Sequence, residues 1–558
     1  MKIKTVLRYA GWTLLSLPVL LIGITALLYG SADMKQPEIP PGTVAEYPLV
    51  QTDSLRVYGP NHLRRSASGL WEMRLTGTPA ERGVAFGKMA SDLLYYQEKV
   101  FVDQIRQIVP SDRYLKFLRF FLILFNRNLG ASVPEEYRTE IYGLSLSCTH
   151  EYDAIGTPYE RQLNYHAAHD VGHAMQDYML VGCSSFAVWG AESADSALLI
   201  GRNFDFYAGD DFARHKLVSF YEPTQGYRFA SVGWAGMTGV LSGMNETGLT
   251  VTINAAKSSP PIAAAMPISL LAREILQYAS TIDEAYALAR KHQTFVAESL
   301  LIGSARDGKA AVIEKSPDRI ALFEAPAGSQ QLICTNHYQS DAFADDPHNR
   351  ENVATSDSPY RYARLQELIG RDAPLSPQKT AAILRDRFGK GDREIGLANE
   401  KAINQFIAHH SVIFQPEKRI MWVSTAPWQS GKFVAYDLNR VFASSAGTGE
   451  LSVDSLSLSA DTFLQTPAYT RLLAYRSLAK QLRAAIRSGI AAEETTLRCF
   501  LESNPQLYDT WRLAGDYYQA FGSPERAVSC WEKALTKEIP RLPERRAIEE
   551  KIKKIKKI

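Results

Sequence analysis

Two sets of residues in this chain combine types and spacings suited to chemistry. The first begins at Leu180-Val181-Gly182-Cys183-Ser184-Ser185-Phe186, where a small residue precedes a thiol as a helical pattern gives way to strands. About 20 residues later, at a strand end, comes Gly201-Arg202-Asn203-Phe204-Asp205-Phe206. Its Arg202 and Asp205, at i and i+3, read in isolation as a surface ion pair of little worth. Three more segments follow: Gly243-Met244-Asn245-Glu246-Thr247-Gly248-Leu249 with Asn254, then Cys334-Thr335-Asn336-His337-Tyr338, then Ser358-Pro359-Tyr360-Arg361-Tyr362-Ala363-Arg364. A thiol attacks as its thiolate, and a nearby cation favours that form. The second set is His166, His169 and His173, at i, i+3 and i+7 on one helix face. His169 to His173 reads H-D-x-x-H, close to the H-E-x-x-H zinc arrangement, with Asp170 as base or further ligand. That set describes a zinc-dependent hydrolase. Gly172 weakens the helix and no clear third-ligand motif follows, so a structural cluster, or one that positions the nearby junction, is the stronger reading. His337 reads as a pocket or packing residue.

In this order the first set resembles the choloylglycine hydrolase and penicillin acyltransferase group of N-terminal-nucleophile (Ntn) hydrolases. The resemblance spans about Ser184–Leu438 and rests on the ordered set GC-S/T, GRNxDF, GxNExGL, TNH and RYxR. It implies a precursor that cuts itself between Gly182 and Cys183, with no cofactor. Cys183 then carries both thiol and α-amine. An amine with a reference pKa of about 7.7–8.0 is partly neutral near pH 7 and can take the thiol proton, so no histidine base is needed. The resemblance makes Cys183 the nucleophile and Asp205 the group that holds its amine, with Arg202 supporting the thiol. Asn254 and Asn336 serve as oxyanion donor and as amine or substrate anchor, and Arg361 completes the site. Asn254 lies one residue nearer GxNExGL than in the bile-salt branch. The long leader before Gly182 points to the acyltransferase-like branch, in which a small chain stays packed on a large one.

Elements that would position these residues follow from periodicity. From residue 184 to 254 short strands rich in Val, Ile, Phe and Tyr are punctuated by Gly, followed by helical patterns over Pro267–Ala279 and Thr281–His292 with Thr281 as a cap. More strands follow, then helices over Ser358–Gly370 and Ser376–Phe388, then strands again. This order gives an α+β body with sheets packed face to face and helices outside. With the resemblance, it is a four-layer αββα Ntn-hydrolase sandwich. Its expected divisions are a membrane anchor or signal over 1–32, a linker and entry segment over 33–75, a helical prosegment or small chain over 76–182, and the catalytic body over 183–445. A helical region over 465–558 follows, where Trp511, Gly515, Tyr518, Ala527, Trp531 and Ala534 approach tetratricopeptide-like (TPR-like) spacing. The final KIKKIKKI reads as a solvated tail.

Lys2, Lys4 and Arg8 precede an uncharged apolar run from Tyr9 to Tyr29. About 20 residues suffice to span the hydrocarbon core, and basic residues before the run keep that end cytoplasmic. The expectation is a single-pass anchor with an extracytoplasmic or periplasmic body. Tyr114–Leu129 reads as a buried or interfacial helix. Lys+Arg number 62 against 60 Asp+Glu, which argues against nucleic acid as a partner. Five cysteines without a CxxC argue against a zinc ribbon or a disulfide framework. The expected partner is a small acyl amide, or an N-acyl lipid given the anchor, cleaved or transferred through a thioester on Cys183. A contrasting reading is a non-catalytic membrane scaffold whose C-terminal helices bind a protein.

Overall fold

The computed structural model describes residues 35–108, 123–174, 180–259, 263–443 and 447–557. Strands rich in Val, Ile, Leu and Phe, most of them buried on both faces, build two sheets. The smaller has six antiparallel strands in the order Gln331–Cys334, Leu180–Val188, Leu199–Tyr207, Ala408–Gln415, Ile420–Ser424, Phe433–Asp437. The larger has eleven, from Leu49–Gln51 at one edge to Ile320–Glu324 at the other. Ile200, Val218, Phe220, Met244, Leu301, Val412 and Phe414 fill the space between the sheets.

Helices Pro79–Ile108, Glu135–Ser145 and Ile268–Tyr278 cover the outer face of the larger sheet, packing Phe86, Ile141 and Leu271 against Leu75, Val251 and Leu300. Helices Ser358–Asp372 and Pro377–Leu384 cover the smaller sheet through Leu365, Leu368 and Ile383. The layers are thus helix, sheet, sheet, helix. Capping sets their ends: the Thr281 and Ser376 hydroxyls accept from the amides of Glu284 and Lys379.

Residues 49–77 differ from the expected linker. They form four strands of the larger sheet, and the last, Trp71–Gly77, runs parallel to Leu217–Pro223. Polar strands such as Asn61–Arg65 carry little apolar alternation, so their pairing is fixed by tertiary contacts. Chain on both sides of residue 182 is therefore woven into one sheet. An ion cluster adds a second tie: the buried Glu140 carboxylate lies 2.8 Å from Arg82 and 2.7 Å from Arg273.

C-terminal helices Pro467–Ser488, Glu494–Ser503, Tyr508–Ala520, Pro524–Leu535 and Leu542–Lys556 form their own apolar cluster. Trp531 sits against Gly515, where a Cβ would come 2.3 Å from the indole nitrogen. The basic end is not a solvated tail: Ile548 and Ile552 are buried on this bundle while Lys553, Lys554 and Lys556 stay outside. The expected membrane helix over 1–32 and most of Tyr114–Leu129 lie outside the described residues. Among the described residues, no helix is long and apolar enough to cross a membrane.

Candidate active site

The strand Leu180–Val188 runs unbroken through Gly182 and Cys183 in the middle of the pairing, so the chain described is the uncut one. It pairs antiparallel with Leu199–Tyr207, setting Gly182 opposite Asp205, Cys183 opposite Phe204 and Ser185 opposite Arg202. Side chains alternate across a sheet. Cys183, Ser185 and Ala187 face the inter-sheet space, as do Arg202 and Phe204. Gly182, Ser184 and Asp205 face the helices on the other side. The i, i+3 spacing therefore divides Arg202 and Asp205 between the two faces, and the expected surface ion pair does not exist.

On the inner face Arg202 Nη2 lies 3.8 Å from Cys183 Sγ. The guanidinium is held by the carbonyls of Leu241 and Ile253 and the Ser242 hydroxyl, and its carbon lies 4.4 Å from the Phe204 ring centroid. Ser242 in turn contacts His410 Nε2 at 2.9 Å. Burial pushes the Cys183 thiol pKa up, and the Arg202 charge recovers only part of that, so the thiol of the uncut chain is protonated at neutral pH.

On the outer face the Cys183 amide donates to Asn336 Oδ1 at 2.8 Å, and the same oxygen accepts from Arg361 Nη2 at 2.7 Å. Arg361 Nη1 donates to the Cys183 carbonyl at 2.6 Å, and Nε donates to Asp357 at 2.8 Å. Asp205 is fully buried, and neither carboxylate oxygen has a hydrogen-bond partner among the described residues. Burial raises its pKa to about 8, with Arg361 and Arg202 pulling the other way.

Asn254 holds neighbouring strands. Its Oδ1 accepts from Ser185, and its Nδ2 donates to the carbonyls of Cys334 at 2.9 Å and Thr335 at 3.3 Å. Asn336 Nδ2 donates to the Ala255 carbonyl at 2.8 Å. In the uncut chain both amides brace the strands around the junction. His337 Nδ1 contacts Ser358 Oγ at 2.8 Å, and burial lowers its pKa to about 4. These contacts fit the pocket or packing residue expected from the sequence.

His166 does not serve as a metal ligand. Its Nε2 accepts from the Thr238 backbone amide at 3.1 Å, which leaves Nδ1 as the donor to the Gln162 carbonyl at 2.8 Å. No ring lone pair is left for a cation, and burial drops its pKa to about 4. The side chains of His169 and His173 lie outside the described residues.

Ser242, His410 and Ser358 were missed as site residues. Ser358 Oγ accepts from the Asn336 amide at 2.7 Å and so fixes the loop that meets Cys183. Ser358 stands inside the RYxR segment and could have been found there. Ser242 and His410 meet Arg202 only through folding and leave no local pattern.

Residues 191–427 match the model of the family described as acyl-coenzyme A:6-aminopenicillanic acid acyl-transferase. The match begins after Cys183 and includes Arg202, Asp205, Asn254, Asn336 and Arg361. This part of the chain is thus similar to the penicillin acyltransferase family. Among other relatives, an uncharacterized protein of Archaeoglobus fulgidus is 24% identical over 361 residues, 59% of each chain. Protein dcd1A of Dictyostelium discoideum is 22% identical over 405 residues, covering 66% of this chain and 85% of its own. The match thus spans about three fifths of the length of the archaeal relative. Similar solved structures include a Caenorhabditis elegans N-acylethanolamine-hydrolyzing acid amidase ortholog, at 16% identity and TM-score 0.31, covering 42% of this chain and 93% of that one. A single-substitution variant of conjugated bile acid hydrolase from Clostridium perfringens gives 15% identity and TM-score 0.33, covering 49% and 96%. The stretch matched to the penicillin acyltransferase family leaves outside it the strands and helices before Gly182 and the C-terminal helical bundle.

Proposed function

We propose that the chain is a self-processing amidohydrolase or acyltransferase with Cys183 as its nucleophile. The observation that carries this reading is the buried Asp205 carboxylate, without a donor among the described residues, directly across the strand pair from Gly182. A buried carboxylate without a donor is costly, and an ammonium freed beside it supplies one.

In the first reaction the Cys183 thiol adds to the Gly182 carbonyl. The C–N bond breaks, the thiol proton passes to the departing amine, and Gly182 is left as a thioester on Sγ. Water then cleaves the thioester, releasing the Gly182 carboxylate and restoring the thiol. The new α-amine would remain beside Asn336 Oδ1 and gain Asp205, opposite Gly182 in the strand pair, as a second acceptor.

In the second reaction this amine takes the thiol proton, with Arg202 stabilising the thiolate. The thiolate attacks a substrate amide, and the ammonium returns the proton to the leaving amine. Water or an acceptor amine resolves the thioester, so hydrolysis and acyl transfer use the same residues. The substrate class is a small acyl amide. The apolar run from Tyr9 to Tyr29 supports a body held at the outer side of a membrane, where an N-acyl lipid would also be accessible. The test is a panel of acyl p-nitroanilides: release of p-nitroaniline should require Cys183 and vanish in Cys183→Ala. Equal activity in both proteins would refute the assignment.

A further inference from the structure

A cavity of about 870 Å³ lies between the catalytic body and the C-terminal helices. That is the size of a small-molecule site. Its floor includes Gln405, Tyr207 and Ile407. Gln405 packs on the junction: a Cβ on residue 182 would come 2.8 Å from its Nε2, an atom without a hydrogen-bond partner among the described residues. Tyr207 stands opposite Leu180 in the strand pair. The cavity therefore borders the stretch of chain on the acyl side of the Gly182–Cys183 bond.

In self-cleavage the Gly182 carbonyl is the group that Sγ attacks. A substrate carbonyl attacked by the same Sγ must take the same place, so whatever borders Gly182 borders the substrate's acyl portion. This inference rests on the proposed function, because it uses Cys183 as nucleophile in both reactions.

The far wall is the helix Pro467–Ser488. Arg476, Lys480, Arg483 and Arg487 lie at i, i+4, i+7 and i+11 along it, and all four line the cavity. Arg476 is paired with Asp210 at 2.9 Å and Arg483 with Asp509 at 3.1 Å. Lys480 and Arg487 have no acidic partner among the described residues. The whole lining holds seven Lys and Arg against five Asp and Glu. Of those acids, Glu400 is biased towards its neutral form by burial and by the neighbouring Glu544. Lys480 and Arg487 are exposed to solvent, and an anion, unlike a plain alkyl chain, would give these two cations a partner.

We propose that this cavity is the acyl subsite and that it takes an acyl group ending in an anion, a carboxylate or phosphate, met by Lys480 and Arg487. The helical bundle then serves as the specificity wall of the active site.

The test uses two p-nitroanilides of matched length, adipic acid mono-p-nitroanilide and hexanoyl p-nitroanilide, with the full chain and its Lys480→Gln/Arg487→Gln variant. The wild-type preference in kcat/KM for the acid-ended probe should be about tenfold or more and should collapse towards one in the variant. Added salt should shrink the preference. Separately, adipate should bind the uncut Cys183→Ala chain by calorimetry, and the two added substitutions should abolish that binding. Cleavage of both probes without preference for the acid, together with no adipate binding, overturns the subsite and leaves the proposed function intact. Adipate binding that depends on Lys480 and Arg487, with no Cys183-dependent cleavage, keeps the anion site and overturns the acyl chemistry. Absence of both overturns the subsite as well.

Discussion

The uncut chain should carry a pH-dependent instability traceable to one side chain. Asp205 has its pKa raised from 3.8 to about 8 by burial. A carboxyl whose folded pKa lies above its unfolded pKa binds more protons when folded. Its contribution to stability is complete below the unfolded value and is lost as pH rises through the folded value. From pH 5 to pH 7 the unfolded side chain is ionised and the folded one stays protonated. Stability then falls by about 1.36 kcal/mol per pH unit from this group, or about 2.7 kcal/mol across that interval. Cys183→Ala should keep the chain uncut, and Asp205→Asn in the same background removes the titrating group with little change of shape. Urea unfolding of the two proteins at pH 5, 6, 7 and 8 gives the gap between them. That gap should widen in favour of the double variant by about 2.7 kcal/mol from pH 5 to 7, then level off above pH 8. A gap that stays constant with pH would refute the reasoning that Asp205 sits buried without a donor. Cut wild-type protein, with an ammonium beside the carboxylate, should show a much shallower slope.

Other expectations follow from the same geometry. Arg202→Lys should weaken the cation beside Sγ while keeping donors for the Leu241 and Ile253 carbonyls, lowering the rate of Cys183 alkylation by iodoacetamide in cut protein. Gly182→Val must displace the Gln405 amide, since even a Cβ comes within 2.8 Å of it, and should slow self-cleavage followed by gel over time. Glu140→Ala strands the buried Arg273 guanidinium and leaves Arg82 only Glu136, at a cost of about 3–5 kcal/mol, so the small chain should dissociate from the large one at a lower urea concentration in size-exclusion runs. Burial alone would raise the Glu140 pKa, but Arg273 and Arg82 outweigh it and hold the pKa below its ordinary value. Its stabilisation is complete above the unfolded carboxylate pKa and should fade as pH falls through the depressed folded value.

The layered body was legible because its strands are rich in Val, Ile, Phe and Tyr and punctuated by Gly, and its helices carry caps such as Thr281 and Ser376. The ordered motifs were legible as well, and they bring Cys183, Arg202, Asp205, Asn336 and Arg361 around one junction. The missed parts share a cause. Strands such as Asn61–Arg65 are polar and gain their order from neighbours far along the chain. Helix Leu542–Lys556 carries its isoleucines on one side only, and a bundle formed elsewhere gives that side its partner. The division of Arg202 and Asp205 between two faces needed the strand assignment to extend through residue 205. Ser242 and His410 act on Arg202 across 40 and 208 residues of sequence, a separation that no local spacing encodes. The hydrogen bonds of Asn254 and Asn336 depend likewise on the pairing of strands from both sheets.

Intact mass spectrometry of purified wild-type protein beside Cys183→Ala tests the central claim most directly. The account predicts two wild-type chains, one ending at Gly182 and the other beginning at Cys183, and a single chain across that junction in the variant. A wild-type protein that remains one covalent chain through residues 182 and 183 while hydrolysing or transferring acyl groups would contradict it.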